Sequence, residues 1–236
     1  MRKHLYPILL VVLVLLCRKG KLYRADIVLL CCYPQILSTC LCCFIHYRED
    51  ISKQRTLRAF YSDVVRLQDL KRKFLHCSSS MDPGQQCFFP REVVKDIRTP
   101  VFILNPAYDA WQVQHVLAPE ASDPQHSWQD CRLDISKCSP DQLEILQGFR
   151  EELHDAMREI KQKKDWGIFI DSCFIHCQTL NSLTWHSPSS PRVNNKTMAE
   201  AVGDWFFDRR EVKELDCEYP CNPTCHNLVF SKPFKG

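Results

Sequence analysis

Two short apolar runs, Val101–Leu104 and Trp166–Ile170, each end at a polar residue that opens a loop. Runs of this length without alternation predict strands buried on both faces, as in a parallel sheet. Between them lies the clearest helix signal in the chain. In Ser139-Pro140-Asp141-Gln142 the serine can cap free amides, the proline suits the first helical position, and the glutamine completes a capping box. Leu143, Leu146, Phe149, Leu153, Met157 and Ile160 then form one apolar stripe. It stops before the basic run Lys161–Lys164, which suits a helix C-terminus. Strand, loop, capped helix, strand and loop make a βαβ crossover.

Further helices flank this unit. Leu57, Tyr61, Val64, Val65 and Leu70 recur at helical spacing between Ser52 and Phe74, and a helix from about Thr197 to Arg209 presents Met198, Val202, Trp205 and Phe206. A loop at Cys77–Gln86 and a short helix after Pro90 precede the first strand. No internal repeat is visible. The expected fold class is α/β, a mainly parallel sheet flanked by helices.

The first 49 residues have a different texture. Arg2 and Lys3 precede the apolar run Ile8–Leu16, as in a signal peptide, but Arg18, Lys19, Lys21 and Arg24 stand where a cleavage site would need small residues. The uncharged stretch Ile27–Ile45 is 19 residues long, close to a bilayer span, yet it carries Pro34, Gln35 and five cysteines. A cleaved signal, a membrane anchor with contact through residues 5–45, and a misjoined gene model all fit. The shift in composition near residue 48 favours the last. Residues 50–230 read as one folded unit, and 231–236 as a tail.

A chain of 236 residues with net charge +3 and no aromatic-basic stripe gives no reason to expect a nucleic-acid partner. Fifteen cysteines do change the picture, and nine of them follow residue 60. They fall in close sets: Cys77 and Cys87; Cys131 and Cys138; Cys173 and Cys177; Cys217, Cys221 and Cys225. Such sets suit disulfides in an oxidising compartment, with Cys131–Cys138 bracketing a short loop before the Ser139 cap. Zinc on Cys217, Cys221, Cys225 and His226 is the rival, but structural zinc sites usually use shorter knuckles, with two to four residues between paired cysteines and a second pair at a distance. Asn195-Lys196-Thr197 is a glycosylation sequon, whereas Pro223 spoils the one that Asn222 would begin.

Just past the first strand stands Asp109, and just past the later one His176. An acid followed by a histidine, each after a parallel strand, is the order of the second half of an α/β-hydrolase triad. The histidine takes a proton from a hydroxyl, and a buried carboxylate fixes its tautomer. A loop aspartate is more often a turn former and a histidine between cysteines more often structural, so spacing alone leaves both readings open.

Longer words narrow the choice. Cys87-Phe88-Phe89-Pro90, Thr99 through Asn105 with Tyr108-Asp109 and Trp111-Gln112, and Phe169-Ile170-Asp171-Ser172-Cys173 with His176-Cys177-Gln178 resemble the plant pectin acetylesterases. So do Ala201-Val202-Gly203-Asp204-Trp205 with Asp208-Arg209, and the tail from Asp216-Cys217 through Pro220-Cys221 to Pro223-Thr224-Cys225-His226-Asn227. The resemblance runs from about Asp50 to Leu228, and Notum-related serine carboxylesterases belong to the same wider family.

The resemblance implies the C-terminal portion of an α/β-hydrolase-like serine esterase, secreted to the cell wall. It implies acetylated pectin as substrate, acetate as product, and no metal or organic cofactor. Asp109 matches the family's triad acid and His176 its general base. The family nucleophile lies in a Gly-Cys-Ser-Ala-Gly-Gly turn. The six glycines here, Gly20, Gly84, Gly148, Gly167, Gly203 and Gly236, flank no serine in that way.

Loss of a triad nucleophile costs on the order of a millionfold in kcat. The chain alone is therefore expected to be inactive, with apolar strand edges exposed where the rest of the sheet would sit. Alternative readings are a non-catalytic pectin-binding remnant and an esterase for lipid acyl chains. Oligomeric state is not legible.

Overall fold

The computed structural model of the chain describes residues 12–13, 27–29, 49–67 and 100–231. Its centre is the parallel pair β3 (Val101–Pro106) and β4 (Gly167–Asp171), with Phe102 opposite Gly167 and Pro106 opposite Asp171. Outside β4 lies β7 (Lys213–Leu215), also parallel. Along the other edge of β3 runs β2 (Ile27–Leu29), parallel and paired with Val101–Ile103, with β1 (Val12–Leu13) antiparallel beyond it. The strand order is β1-β2-β3-β4-β7. The edge of β3 expected to be bare is thus covered over three residues by part of the N-terminal apolar stretch.

Both central strands extend past their apolar runs. Backbone pairing carries β3 through Asn105 and Pro106 and β4 through Asp171, all of them buried. Trp166 packs in the core just before β4, with the Lys163 ammonium 4.1 Å from its ring centroid.

Alternation along the strands divides the core in two. Val101, Ile103, Ile168 and Ile170 face α3 (Pro140–Ala156) and meet its Leu146, Phe149 and Leu153. Phe102, Leu104 and Phe169 face the opposite way and pack against Met198, Ala201 and Trp205 of α6 (Met198–Phe206). A helix on each face of a mainly parallel sheet is the expected α/β layering.

Local chemistry sets the helix ends. Ser139 caps α3 reciprocally, its N–H donating to Gln142 Oε1 at 2.8 Å while its Oγ accepts from Gln142 N at 3.3 Å. The stripe is one helix in the sequence but two in the structure. The chain breaks at Met157, and α4 (Arg158–Lys161) carries Ile160 into the same core. Thr197 and Glu200 form a second capping box at the start of α6. That helix ends at Phe206 rather than near Arg209, because Asp208 turns the chain with a positive φ of 55°.

The N-terminal α1 (Thr56–Leu67) lies inside the expected Ser52–Phe74 span, and a one-turn helix, α5 (Ser182–Trp185), follows the histidine loop. Two short elements had no apolar signal: β7, and the hairpin of β5 (Arg192–Val193) and β6 (Lys196–Thr197). A disulfide joins Cys131 and Cys138 ahead of the α3 cap. Cys77, Cys87, the Cys77–Gln86 loop and the short helix after Pro90 lie outside the described residues. Among the described residues no helix is long and apolar enough to cross a membrane.

Gly167 fixes how closely β3 and α6 approach. A Cβ built there would run into the Phe102 ring, which is itself held edge-on against Trp205 at a centroid distance of 5.2 Å. Gly167→Ala should therefore lower stability by about 1–3 kcal/mol, as overpacking does. Gly203→Ala should leave stability unchanged or raise it by about 0.5–1 kcal/mol. Its Cβ would meet Arg209 Nη1 at an ordinary 3.7 Å, within a helix. Urea denaturation midpoints of the two variants check this ordering.

Candidate active site

Because β3 and β4 are parallel neighbours in register, the loops leaving their C-terminal ends emerge side by side, where open α/β sheets place their sites. Backbone bonds lock the two loops together. Ala107 N donates to Asp171 O at 2.7 Å, and Ala110 N donates to Ile175 O at 3.1 Å. Tyr108, fully buried, ties the first loop to its surroundings. Its hydroxyl donates to Gln147 Oε1 at 2.5 Å and accepts from Tyr219 N at 3.0 Å.

Asp109 follows, with none of its surface exposed. One carboxylate oxygen accepts from Gln112 N at 2.9 Å, capping α2 (Ala110–Gln112). The other lies 2.8 Å from His176 Nδ1. The cap and the histidine thus hold the carboxylate from two sides. A hydrogen on Nδ1 leaves Nε2 as the basic nitrogen of the ring. The His176 side chain is 23% exposed, against 1% for that of Asp109. A buried acid behind a partly accessible imidazole is the arrangement that takes a proton from a hydroxyl and stabilises the imidazolium formed.

Several clamps hold the histidine loop. Cys177, directly after His176, adopts the left-handed conformation with φ 61°, which turns the chain sharply back. Cys173 is bonded to Cys225 rather than to its near neighbour Cys177, which is itself disulfide-bonded. Phe174 N donates to Asn227 Oδ1 at 2.7 Å, and Leu228 N donates to Phe174 O at 2.8 Å. Asp216, just past β7, accepts on one oxygen from Ser172 N at 3.0 Å, Ser172 Oγ at 2.8 Å and Asn222 Nδ2 at 2.6 Å. Cys217 and Cys221 are joined to each other. These bonds take up the sulfurs that zinc on Cys217, Cys221, Cys225 and His226 would need.

Sequence spacing did not assign a role to Asp171, although it stands between the strand and the histidine. It is 1% exposed, and its carboxyl oxygens accept from Gln178 Nε2 at 2.5 Å and Cys173 N at 3.1 Å. An acid at a strand's buried C-terminal end, seven residues before a glutamine, is the only signal that the sequence offers. A cleft lined by Glu49, Lys53, Arg55, Trp128, Glu151 and Asp155 includes neither Asp109 nor His176. Asn195 lies exposed at the tip of the β5–β6 hairpin, within the turn where Asn194 and Asn195 both have positive φ.

Burial pushes the Asp171 carboxyl up to about 7, with the nearby Asp216 charge adding to the rise and the Gln178 and Cys173 hydrogen bonds opposing it. An acid that is harder to ionise in the fold than in the unfolded chain stabilises the fold fully below its ordinary value of 3.8, and that stabilisation is lost as pH rises through about 7. In Asp171→Asn, with the Gln178 amide turned to match, that loss should disappear. Unfolding free energies at a series of pH values between 4 and 8 should converge on, then fall below, those of the variant as pH rises. Parallel profiles would contradict this assignment.

Comparison with known proteins bears on the same residues. The family model described as Pectinacetylesterase matches residues 42–226, a slightly earlier start than the resemblance from Asp50 to Leu228. Pectin acetylesterase 5 of Arabidopsis thaliana is 52% identical over 183 residues, covering 77% of this chain and 43% of that relative. Pectin acetylesterase 4 of the same plant is 46% identical over 177 residues, covering 75% and 42%. The chain thus spans less than half the length of these curated relatives. With both strand-end loops inside the matched region, the chain belongs to the pectinacetylesterase family.

Proposed function

We propose that this chain carries the acid and base of a carboxylic ester hydrolase that removes O-acetyl groups from cell-wall pectin. The observation that carries the reading is the buried Asp109 carboxylate 2.8 Å from the Nδ1 of a partly exposed histidine. It sits at adjacent ends of parallel strands, in a family named for this activity. In the mechanism a serine hydroxyl attacks the acetyl carbonyl while His176 Nε2 takes its proton. The imidazolium, held by Asp109, then protonates the departing sugar oxygen. Water resolves the acetyl-enzyme by the same route in reverse. Asp109 and His176 are the residues here that perform these steps.

The serine itself is the part that these 236 residues do not provide in a Gly-flanked turn. The relatives are more than twice the matched length, so a nucleophile from the rest of the family domain would complete the triad. Without it, the same fold supports a second reading, a pectin-binding form that turns nothing over. Disulfides and an exposed Asn195 sequon fit an extracellular setting for either form.

Acetate release from acetylated homogalacturonan tests both readings. The 236-residue chain should release none above background. A domain that joins a Gly-Cys-Ser-Ala-Gly-Gly segment to residues 50–228 should release acetate, with Asp109→Asn lowering kcat on the order of ten-thousandfold. Turnover by that longer domain that survives His176→Ala would sink the proposed roles.

A further inference from the structure

Beside the base lies an aromatic surface that the acid–base chemistry does not use. Trp111, on α2 two residues after Asp109, is only partly buried, and its ring stacks near His176 with centroids 6.2 Å apart and planes 26° from parallel. The ring of His115, an exposed residue, also lies near it, tilted by 47° with centroids 5.1 Å apart. The helix does not continue as an α-helix between them. From Val113 to Leu117 it is a π-turn, a rare conformation that recurs at functional sites. Val113 and Leu117 turn inward and are buried, while His115 stays at the surface next to the indole. The run of rings from His176 through Trp111 to His115 therefore leads from the buried acid out to solvent.

We propose that Trp111 and His115 form the subsite for the sugar ring whose ester faces His176, the indole stacking on the pyranose and the His115 imidazole hydrogen-bonding to its polar edge. This rests on the pectin reading above and deepens it. One face of a galacto-configured ring is largely C–H, with slightly positive hydrogens that match the negative face of an indole. The axial and equatorial hydroxyls point elsewhere, toward groups that can exchange hydrogen bonds. His115 is such a group. Shielding of the imidazole by its neighbours, although the residue as a whole is exposed, and then the charge of Arg132 and of His176 hold its basicity below the ordinary histidine range. Arg132 donates to Ala118 O at 3.2 Å and pairs with Glu120 at 3.5 Å. Tryptophan at this position thus reads as a choice of substrate class, since proton transfer by Asp109 and His176 needs no aromatic neighbour.

The test uses the full chain and acetylated oligogalacturonides, with binding followed through the tryptophan indole N–H signals. The Trp111 signal is assigned by its loss in Trp111→Phe. On titration the Trp111 indole and the His115 ring should shift, while the buried indoles of Trp128, Trp166 and Trp205 stay in place. Trp111→Ala should weaken binding about tenfold, and Trp111→Phe should recover most of it. Shifts at the unmodified protein's other indoles without Trp111 would overturn the subsite, whatever the variants do. Undiminished binding by Trp111→Ala would overturn it too and leave the pectin reading standing. If the unmodified chain binds no oligogalacturonide, acetylated or not, both the subsite and pectin recognition by this chain fall together.

Discussion

The parallel register of β3 and β4 is the constraint on which the rest depends. With Phe102 opposite Gly167 and Pro106 opposite Asp171, the two strands end level with each other. The loops that follow then have only a few residues in which to bring Asp109 and His176 together. A shift of one residue would send every strand side chain to the wrong face. Core packing opposes such a shift. Ile103 and Ile170 belong to the α3 side, Phe102 and Phe169 to the α6 side, and Gly167 makes room for the Phe102 ring. The hydrophobic layers therefore fix the strand ends from which the loops carrying Asp109 and His176 leave.

Above that frame, the site is held mainly by backbone and buried polar groups. Asp109 caps a helix and orients an imidazole with the same carboxylate. The histidine loop is held by the Cys173–Cys225 disulfide, by the Asp216 carboxylate on Ser172 and by the Asp171–Gln178 pair. All three of these partners sit close behind His176, in β4, just past β7 or in the wrapped tail. In its proposed role as base, a histidine held in this way has little rearrangement left to make when a hydroxyl arrives.

How much of this was legible follows from what each signal measures. The runs Val101–Leu104 and Trp166–Ile170 located both central strands, because strands buried on both faces must be apolar. They missed Asn105, Pro106 and Asp171, since backbone pairing, not side-chain character, carries the strands that far. The α3 start was readable to the residue from Ser139-Pro140-Asp141-Gln142. Its break at Met157 was not, because the apolar stripe continues across it. β7 escaped notice, since Lys213-Glu214-Leu215 is short, mostly polar and strand only by virtue of its place beside β4. In the site, the positions of Asp109 and His176 after strands could be read, but their 2.8 Å contact could not. Nor could the aromatic row beside them, because Trp111 precedes and His115 lies within a π-turn that no periodicity announces. Cys173 and Cys225 stand 52 residues apart, so close spacing pointed to other partners.

The most direct measurement of the central claim, a preformed acid–base pair, is the proton spectrum of the His176 imidazole in the full chain. A hydrogen shared between Nδ1 and the buried Asp109 carboxylate should give a strongly downfield resonance. Exchange with water should be slow, and the resonance should vanish in Asp109→Ala. A His176 ring with no such resonance, or one indifferent to Asp109→Ala, would contradict the account.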